Sequence, residues 1–579
     1  MTTLVSSLDQ HNPSQQLGEN NHAEYSWSND IEEKIVQFNF QLVRTSDKNQ
    51  LHVLKCKLQE LLRDISKVSC KEYYLTILFR LACHTRDIIA GKGEYNLYYM
   101  QVCVWYEFDK MFGGELLRRC VHLKNEQGVD VHPLGSWKDI KYLINYARDY
   151  YGNTSNDVIN HSLQLMVNQV YHDAVNVYTQ SCENISLAAK WCPRESSKKF
   201  GWIFEKIACL YYHNYMVTAK GSQRKAINKC KMDFRHTITS INNRLDTPQI
   251  KQCKGTWNQI NHETLTSITL SKQKIALQNL TKGGQQRSTA PDRISCAHNF
   301  QSFIKDVKEG RKNIKGKRVE LAEFVKDALH TPFNEINQTT IETLNLQWNN
   351  NRSQNKVLEN IIAMVDTSAS METDNCRPLY NAIGLGIRVA EMSKIGKRIL
   401  TFSAKPSWVN LENCPDFYDC VQRVKTCDWG CNTDFNAALK MILDVIEINR
   451  LKPEEVESLT LAIFSDMQMD DAEALGNVGT PTRLLRKIEL RNTIEKLYAD
   501  TGKKLWGKPF KVPHILFWNL RSTNGFPALS SDGNTSMISG FNPVILNEFS
   551  DKGIEILQKY TPWKLLITTL NNPRYTLFF

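Results

Sequence analysis

Asp366-Thr367-Ser368-Ala369-Ser370 closes the short apolar run Ile361-Ile362-Ala363-Met364-Val365 and sets one carboxylate and two hydroxyls on a tight loop. A buried strand that ends this way delivers those oxygens to its carboxyl tip, the edge where open α/β sheets gather ligands. Hard oxygen donors so spaced suit a small divalent cation such as Mg²⁺, with waters and a ligand completing the octahedron. Two further segments extend the set. Asn432-Thr433-Asp434-Phe435 precedes a helical pattern and offers a threonine hydroxyl, and Ile463-Phe464-Ser465-Asp466 is another apolar run ending in Asp. Asp366, Ser368, Ser370, Thr433 and Asp466 therefore make one candidate metal set. Each piece alone is equally a helix cap; in this order, at three strand ends, they can converge on one ion.

A second chemistry is carried by cations alternating with aromatics. Lys190-Trp191-Cys192-Pro193-Arg194 and Lys198-Lys199-Phe200-Gly201-Trp202 open a stretch that continues through Arg224 and Lys225 to Arg311 and Lys312. Between Lys190 and Lys326 there are 27 Lys and Arg against fewer than half as many Asp and Glu, so the rest of a chain of net charge +11 is acidic. Concentrated positive charge is the footprint of a polyanion partner, and interleaved rings suit base stacking. Lys190, Arg194, Lys198, Lys199, Arg224, Lys225, Arg311 and Lys312 are the candidate nucleic-acid contacts, with Trp191, Trp202 and Trp257 as stacking candidates. The bland reading of any one cation is a solvated helical face, and that of each tryptophan is a place in the core.

The elements that position these residues come in two grammars. From residue 29 to about 350 the periodicity is helical, as where Tyr74, Leu78, Leu81 and Thr85 mark one helix face. Helices are expected at Ile31–Val43, Leu51–Ile65, Glu94–Met111, Trp137–Tyr151, Asp157–Tyr178, Gly201–Thr218 and Gln223–Asn243, broken at Gly91-Lys92-Gly93, Gly113-Gly114, His132–Gly135 and Gly152-Asn153. Short connections between such helices predict stacked repeats. From 351 to 550 strands and helices alternate, with strands at Leu358–Val365, Arg398–Ser403, Leu459–Phe464, Pro513–Trp518 and Thr535–Ser539. That alternation predicts a doubly wound α/β domain with a parallel sheet. Residues 551–579 read as a C-terminal helix near Lys552–Tyr560 and an apolar tail packed on the body, and residues 1–28 as a disordered arm.

At 579 residues the chain exceeds one core, so more than one domain is expected. No run approaches the ~18–20 apolar residues of a membrane span, and the Asn-, Gln- and Ser-rich start lacks the apolar core of a secretory signal. The 16 cysteines show no disulfide framework, which with the missing signal predicts an intracellular, cytoplasmic protein with free thiols. Cys414, Cys420, Cys427 and Cys431 cluster without the paired spacing of structural zinc. Arg86-Asp87-Ile88-Ile89-Ala90-Gly91-Lys92-Gly93-Glu94 is too short for a phosphate loop of the Gly-x₄-Gly-Lys type. It reads as a turn between helices with Arg86 and Asp87 as local ion-pair partners, an anion-contacting loop being the other reading. No Ser-His-Asp set or His-Glu-x₂-His is legible, so no catalysis is expected.

The metal set resembles the metal-ion-dependent adhesion site of von Willebrand factor A domains, over roughly residues 355–550. The resemblance implies Asp366, Ser368 and Ser370 as its first motif, Thr433 as its second and Asp466 as its third. It also implies Mg²⁺ or another divalent cation, and a protein ligand presenting an Asp or Glu carboxylate. Arg86–Glu94, Gly135-Ser136-Trp137-Lys138-Asp139, Lys190–Pro193, Trp257-Asn258-Gln259-Ile260, Trp429–Phe435 and Phe464–Gln468 resemble the DUF2828 family, whose function is unassigned and which occurs in plants, fungi and large DNA viruses. The layout is also similar to the Ro ribonucleoprotein (TROVE) family. That likeness implies an all-α, HEAT- or TROVE-like N-terminal domain before a von Willebrand factor A domain, and RNA binding; a monomer is expected, with the oligomeric state left open. The alternative is a non-enzymatic interaction scaffold or packaged particle component that takes acidic ligands at the metal.

Overall fold

The computed structural model describes residues 15–19, 23–219, 221–403, 405–427, 429–430, 435–468, 489–550 and 558–577. They form two compact units, and neither is continuous in sequence. One gathers Met1–Leu78, Thr266–Lys272 and Val307–Asn572; the other gathers Phe79–Leu265, Gln273–Asp306 and Pro573–Phe579. The single helical domain expected over 29–350 is therefore divided. Residues 15–25, expected as part of a disordered arm, include strands β1 (Gln15–Leu17) and β2 (Ala23–Tyr25), paired antiparallel. Tyr25 bridges onward to Phe526, so backbone pairing secures what composition left loose.

Among its described residues the second unit is helical apart from the two-residue strands β3 (Leu123–Lys124) and β4 (Asp130–Val131) and a single bridge between Leu280 and Gln286. Helices Trp137–Tyr151 and Asp157–Tyr178 have the expected bounds, the first capped by the Ser136/Asp139 box and closed by Gly152 at φ 68°. Gly113-Gly114, expected as a break, lies inside helix Lys110–Arg119, because a Cβ on Gly113 would sit 2.5 Å from the Tyr106 ring. The break falls instead at Asp109, whose carboxylate accepts the Met111 N–H.

Arg86 pairs not with its neighbour but with Asp139, through two hydrogen bonds from Nη2 at 2.9 and 2.8 Å, and Tyr99 donates to the same carboxylate at 2.7 Å. Asp87 receives Arg574 at 2.7 Å and the Tyr575 hydroxyl at 3.2 Å. The Gly-Lys-Gly segment is a tight return. Lys92 N–H donates to the His84 carbonyl, and a Cβ on Gly91 would lie 2.0 Å from that oxygen. Lys92 is buried, and desolvation pulls its ammonium down to about 7.

In the first unit, β5 (Ile361–Asp366), β6 (Arg398–Phe402), β7 (Ser407–Asn410), β8 (Thr460–Ser465), β9 (His514–Asn519) and β10 (Thr535–Ser539) form one sheet in the order β10-β9-β8-β5-β6-β7. All neighbours are parallel except β6 and β7. The five expected strands are present; β7 escaped notice because Ser407-Trp408-Val409-Asn410 is short and half polar, as edge strands are. β5, β8 and β10 are buried at every residue, the state of parallel strands covered on both faces.

Helices from the N-terminal half supply part of that cover. Helix Ile31–Gln41 lies beside β10, where Ser539 Oγ donates to the Asn39 carbonyl at 2.7 Å, and Asn519 at the end of β9 donates to that of Phe40 at 3.0 Å. Helices Leu321–His330 and Gln338–Arg352 pack into the same core, Trp348 stacking on Phe417 at 3.8 Å and beneath the buried Arg388 at 4.2 Å. Their apolar faces match the sheet's helices, which is why they leave the helical unit.

Helix Thr373–Met392 is pressed between layers. A Cβ on Gly384 would stand 2.8 Å from Leu321 Cβ, and one on Gly386 would stand 2.4 Å from Val365 Cγ2. Gly386→Ala should thus cost about 1–3 kcal/mol through overpacking. The expected result is a lower thermal midpoint that Val365→Ala partly restores in the double variant; additive losses would contradict the clash.

Candidate metal centre and basic surface

The chain leaves β5 for β6 on one side and returns at β8 on the other, so the strand order reverses between β5 and β8. At such a switch point the flanking loops part and leave a crevice at the carboxyl edge. The register pairs Val365 with Phe464. Asp366 and Ser465 therefore end neighbouring strands, with Asp466 one residue beyond. Both carboxylates are fully buried. Asp366 Oδ2 accepts from Ser465 Oγ at 2.6 Å, and Oδ1 accepts from the Ser368 N–H at 2.9 Å. Desolvation first, and the Asp466 charge second, raise the Asp366 carboxyl above the usual range.

Ser368 and Ser370 place their hydroxyl oxygens 3.0 Å apart. A hydrogen bond gives that separation, and so do two adjacent ligands of an octahedral ion at bonds of ~2.1 Å. Thr367, between the two motif residues, keeps a buried hydroxyl with no partner among the described residues. Thr433 lies outside the described residues. Among the described residues no group of three or more His, Cys, Asp or Glu gathers as a metal site; this set is of another kind, two carboxylates with hydroxyls.

The backbone around the crevice is strained. Asp374, Asn375 and Cys376 have φ of 50°, 60° and 58°, and Met467, directly after Asp466, has φ 64°. Left-handed backbone costs a residue with a Cβ roughly 1–2 kcal/mol, and such strain collects at functional sites.

Sequence reasoning missed Arg521. It follows β9, the next strand over, and its Nε donates to Asp466 Oδ2 at 2.9 Å while Nη2 reaches Glu19 at 2.6 Å. Asp466 Oδ1 accepts the Gln468 N–H at 3.0 Å. Arg521 obeys the same grammar as the two aspartates, a charged residue just past an apolar strand, and was legible by that rule. Ser465 was visible too, as the last residue of its strand.

The basic candidates divide. Lys190 ends the short helix Ala188–Trp191 and is half-buried, while Arg194, Lys198 and Lys199 are exposed in the following turn. Arg224 and Lys225 are exposed at the start of helix Gln223–Leu245. Arg311 and Lys312 are exposed in the other unit, Arg311 paired with Glu309. Lys231 and Arg235 are spent on Glu195.

None of the three tryptophans is in the core. Trp191 is half-buried beneath Lys138, Lys141 and Lys190, whose ammonium groups lie 5.6, 5.3 and 5.8 Å from the ring centre. Trp202 lies under Arg148 and Lys206, and Trp257 under Arg293 at 3.6 Å. Lys138 and Lys141 precede the basic stretch, and composition alone gave no reason to join them to it.

A family model described as a domain of unknown function, DUF2828, matches residues 159–354. A second domain of unknown function, DUF7788, matches residues 360–562, which contain the whole sheet. No curated protein matches the chain.

Removing Arg521 would leave Asp466 buried beside Asp366 with its countercharge gone. Arg521→Leu should then cost about 3 kcal/mol, as stripping one partner from a buried pair does. Urea unfolding of the single variant and of Arg521→Leu/Asp466→Asn tests this: the double variant is expected to recover much of the loss, and equal losses would refute the pairing.

Proposed function

The chain belongs to the DUF2828 family, and from that footing we propose that it is a non-enzymatic RNA-binding protein whose sheet edge docks an acidic protein side chain through Mg²⁺. The observation that carries the RNA reading is the pairing of Trp191, Trp202 and Trp257 with cations in a unit rich in Lys and Arg. Half-buried rings rimmed by ammonium and guanidinium groups offer stacking faces and phosphate contacts together, which single-stranded nucleic acid needs. The helical unit is then read as a TROVE-like or HEAT-like RNA holder and the sheet as a von Willebrand factor A domain.

The docking reading rests on Asp366, Ser368 and Ser370, with Asp466 alongside. Those residues would hold Mg²⁺, and Thr433 completes the set in the sequence pattern. The bound ion supplies an electrophilic centre that an incoming Asp or Glu carboxylate can reach by displacing water. Asp366 supplies the carboxylate, oriented by Ser465 and the Ser368 N–H, and the serines supply neutral donors that leave the ion's charge uncompensated. A scaffold or packaged particle component using only this site is the second reading.

Gel-shift titrations with assorted RNAs at two salt concentrations test the first reading. Affinity should fall steeply with salt, with a slope near −0.7 per phosphate contact for single strands, and Lys198→Ala/Lys199→Ala should flatten that slope for all sequences alike. A folded, monodisperse protein that ignores every RNA at low salt leaves the scaffold reading. For the docking site, Asp366→Ala should abolish Mg²⁺ binding in calorimetry with the far-ultraviolet dichroism unchanged, and unaltered binding would refute the assignment.

A further inference from the structure

The N-terminal hairpin of the first unit is fixed at one end and held at the other by the groups that hold Asp466. At the Tyr25 end, Tyr25 and Phe526 exchange backbone hydrogen bonds at 3.0 and 3.1 Å, and Trp27 meets the Phe526 ring edge-on at 5.1 Å. Glu24 is buried there, its carboxylate filling the space that a Cβ on Gly525 would need, 2.0 Å away. Beyond β1, Glu19 meets both partners of Asp466. Arg521, whose Nε donates to Asp466 Oδ2 at 2.9 Å, gives Nη1 and Nη2 to the Glu19 carboxylate at 3.3 and 2.6 Å. Gln468, whose N–H donates to Asp466 Oδ1 at 3.0 Å, accepts the Glu19 N–H on its side-chain oxygen at 2.7 Å. Two separate routes thus lead from one sealed carboxylate to one residue of the hairpin. The Glu19 side chain is 55% exposed against 20% for Arg521, so it is the member of the set that can leave its seat.

We infer that Glu19 is a positioning residue of the cation site: through Arg521 and Gln468 it couples the seating of hairpin Gln15–Tyr25 to an ion held at Asp366, Ser368, Ser370 and Asp466. The inference rests on the Mg²⁺ reading and adds a regulatory element to that site. Arg521 and a cation compete for Asp466, because both draw on the same carboxylate. With Glu19 seated, the guanidinium divides its charge between two carboxylates and yields Asp466 more readily. The charges agree. With Asp366 ionised as a ligand, three carboxylates and one guanidinium leave two net negative charges, the complement of a divalent cation, and only one once Glu19 leaves. Linkage is reciprocal, so an ion that binds better with Glu19 in place also holds Glu19 in place. The hairpin is then firmly seated in the loaded protein and loosely in the empty one, and the rim that an acidic partner meets changes with the ion. Sequence reasoning missed Glu19 because it stands in a polar stretch that reads as a disordered arm, far upstream of the strands it serves.

The test uses the full chain with Mg²⁺ alone as the ligand. Glu19→Gln keeps the length and hydrogen-bonding oxygen of the side chain and removes its charge. In calorimetry it should bind Mg²⁺ about fivefold more weakly than the wild type, the low end for linked sites because Glu19 is partly in water. Glu19→Asp, which keeps the charge, should retain most of the affinity. Hydrogen exchange of the wild type needs no variant: exchange across residues 15–25 should slow on adding Mg²⁺ at constant ionic strength, and Asp366→Ala should show no slowing. A Glu19 that merely braces the hairpin would move neither readout. Equal Mg²⁺ affinity in the wild type and Glu19→Gln, or exchange that Mg²⁺ leaves unchanged, overturns this inference and leaves the metal centre standing. Faster exchange with Mg²⁺ overturns it as well, since ion and hairpin would then compete. A wild type that binds no Mg²⁺ overturns the metal reading and this inference with it.

Discussion

Two carboxylates at the ends of adjacent parallel strands, both sealed from water, are the constraint around which the sheet unit's carboxyl edge is built. Asp366 and Asp466 are there because β5 and β8 run in parallel, in register, on opposite sides of the reversal in strand order. Their mutual repulsion has to be met locally. Ser465 and the Ser368 N–H answer Asp366; Arg521 and the Gln468 N–H answer Asp466. Left-handed backbone lies nearby in the chain on both sides, at Asp374–Cys376 after the serines and at Met467 directly after Asp466. A small cation placed there would answer what repulsion remains between the two carboxylates, which is the physical content of the proposed metal centre.

The sheet was legible in the sequence because its signals are local. An apolar run followed by a charged or hydroxyl residue reads as a buried strand with a polar tip, and the rule found β5 and β8 together with their aspartates. Applied one strand further it finds Arg521 after Leu516-Phe517-Trp518-Asn519-Leu520. What periodicity could not give is which helices serve which core. Helix Ile31–Gln41 reads as helical from sequence, but its company is decided by the shape of the sheet edge near β10. Gly113 shows the same limit from the other direction, since as a residue type it signals a break and in the packed unit it makes room for Tyr106.

The basic half illustrates a different gap. Net charge along the chain identified a region, and cations alternating with rings identified a style of contact, but partnership is a matter of three dimensions. Lys231 and Arg235 lie amid the other cations and are consumed by Glu195, whereas Lys141, outside the counted stretch, lies among three rings. Arg86 repeats the lesson: adjacency favoured Asp87, and the bidentate geometry of Asp139 won.

The ion pair between Asp87 and Arg574 joins residues separated by 487 positions, and Tyr575, buried beside His84, closes the same cluster. During synthesis Asp87 emerges long before its partner. Until then a carboxylate destined for burial must stay hydrated, so the helical unit cannot reach its final packing while the sheet unit is still being made. Contacts this distant in sequence slow the search for the native state and lengthen the life of partly ordered intermediates. The order of assembly is thereby written into the chain: the strands can pair first, and the helical unit is sealed last, by a segment that arrives after the sheet is complete.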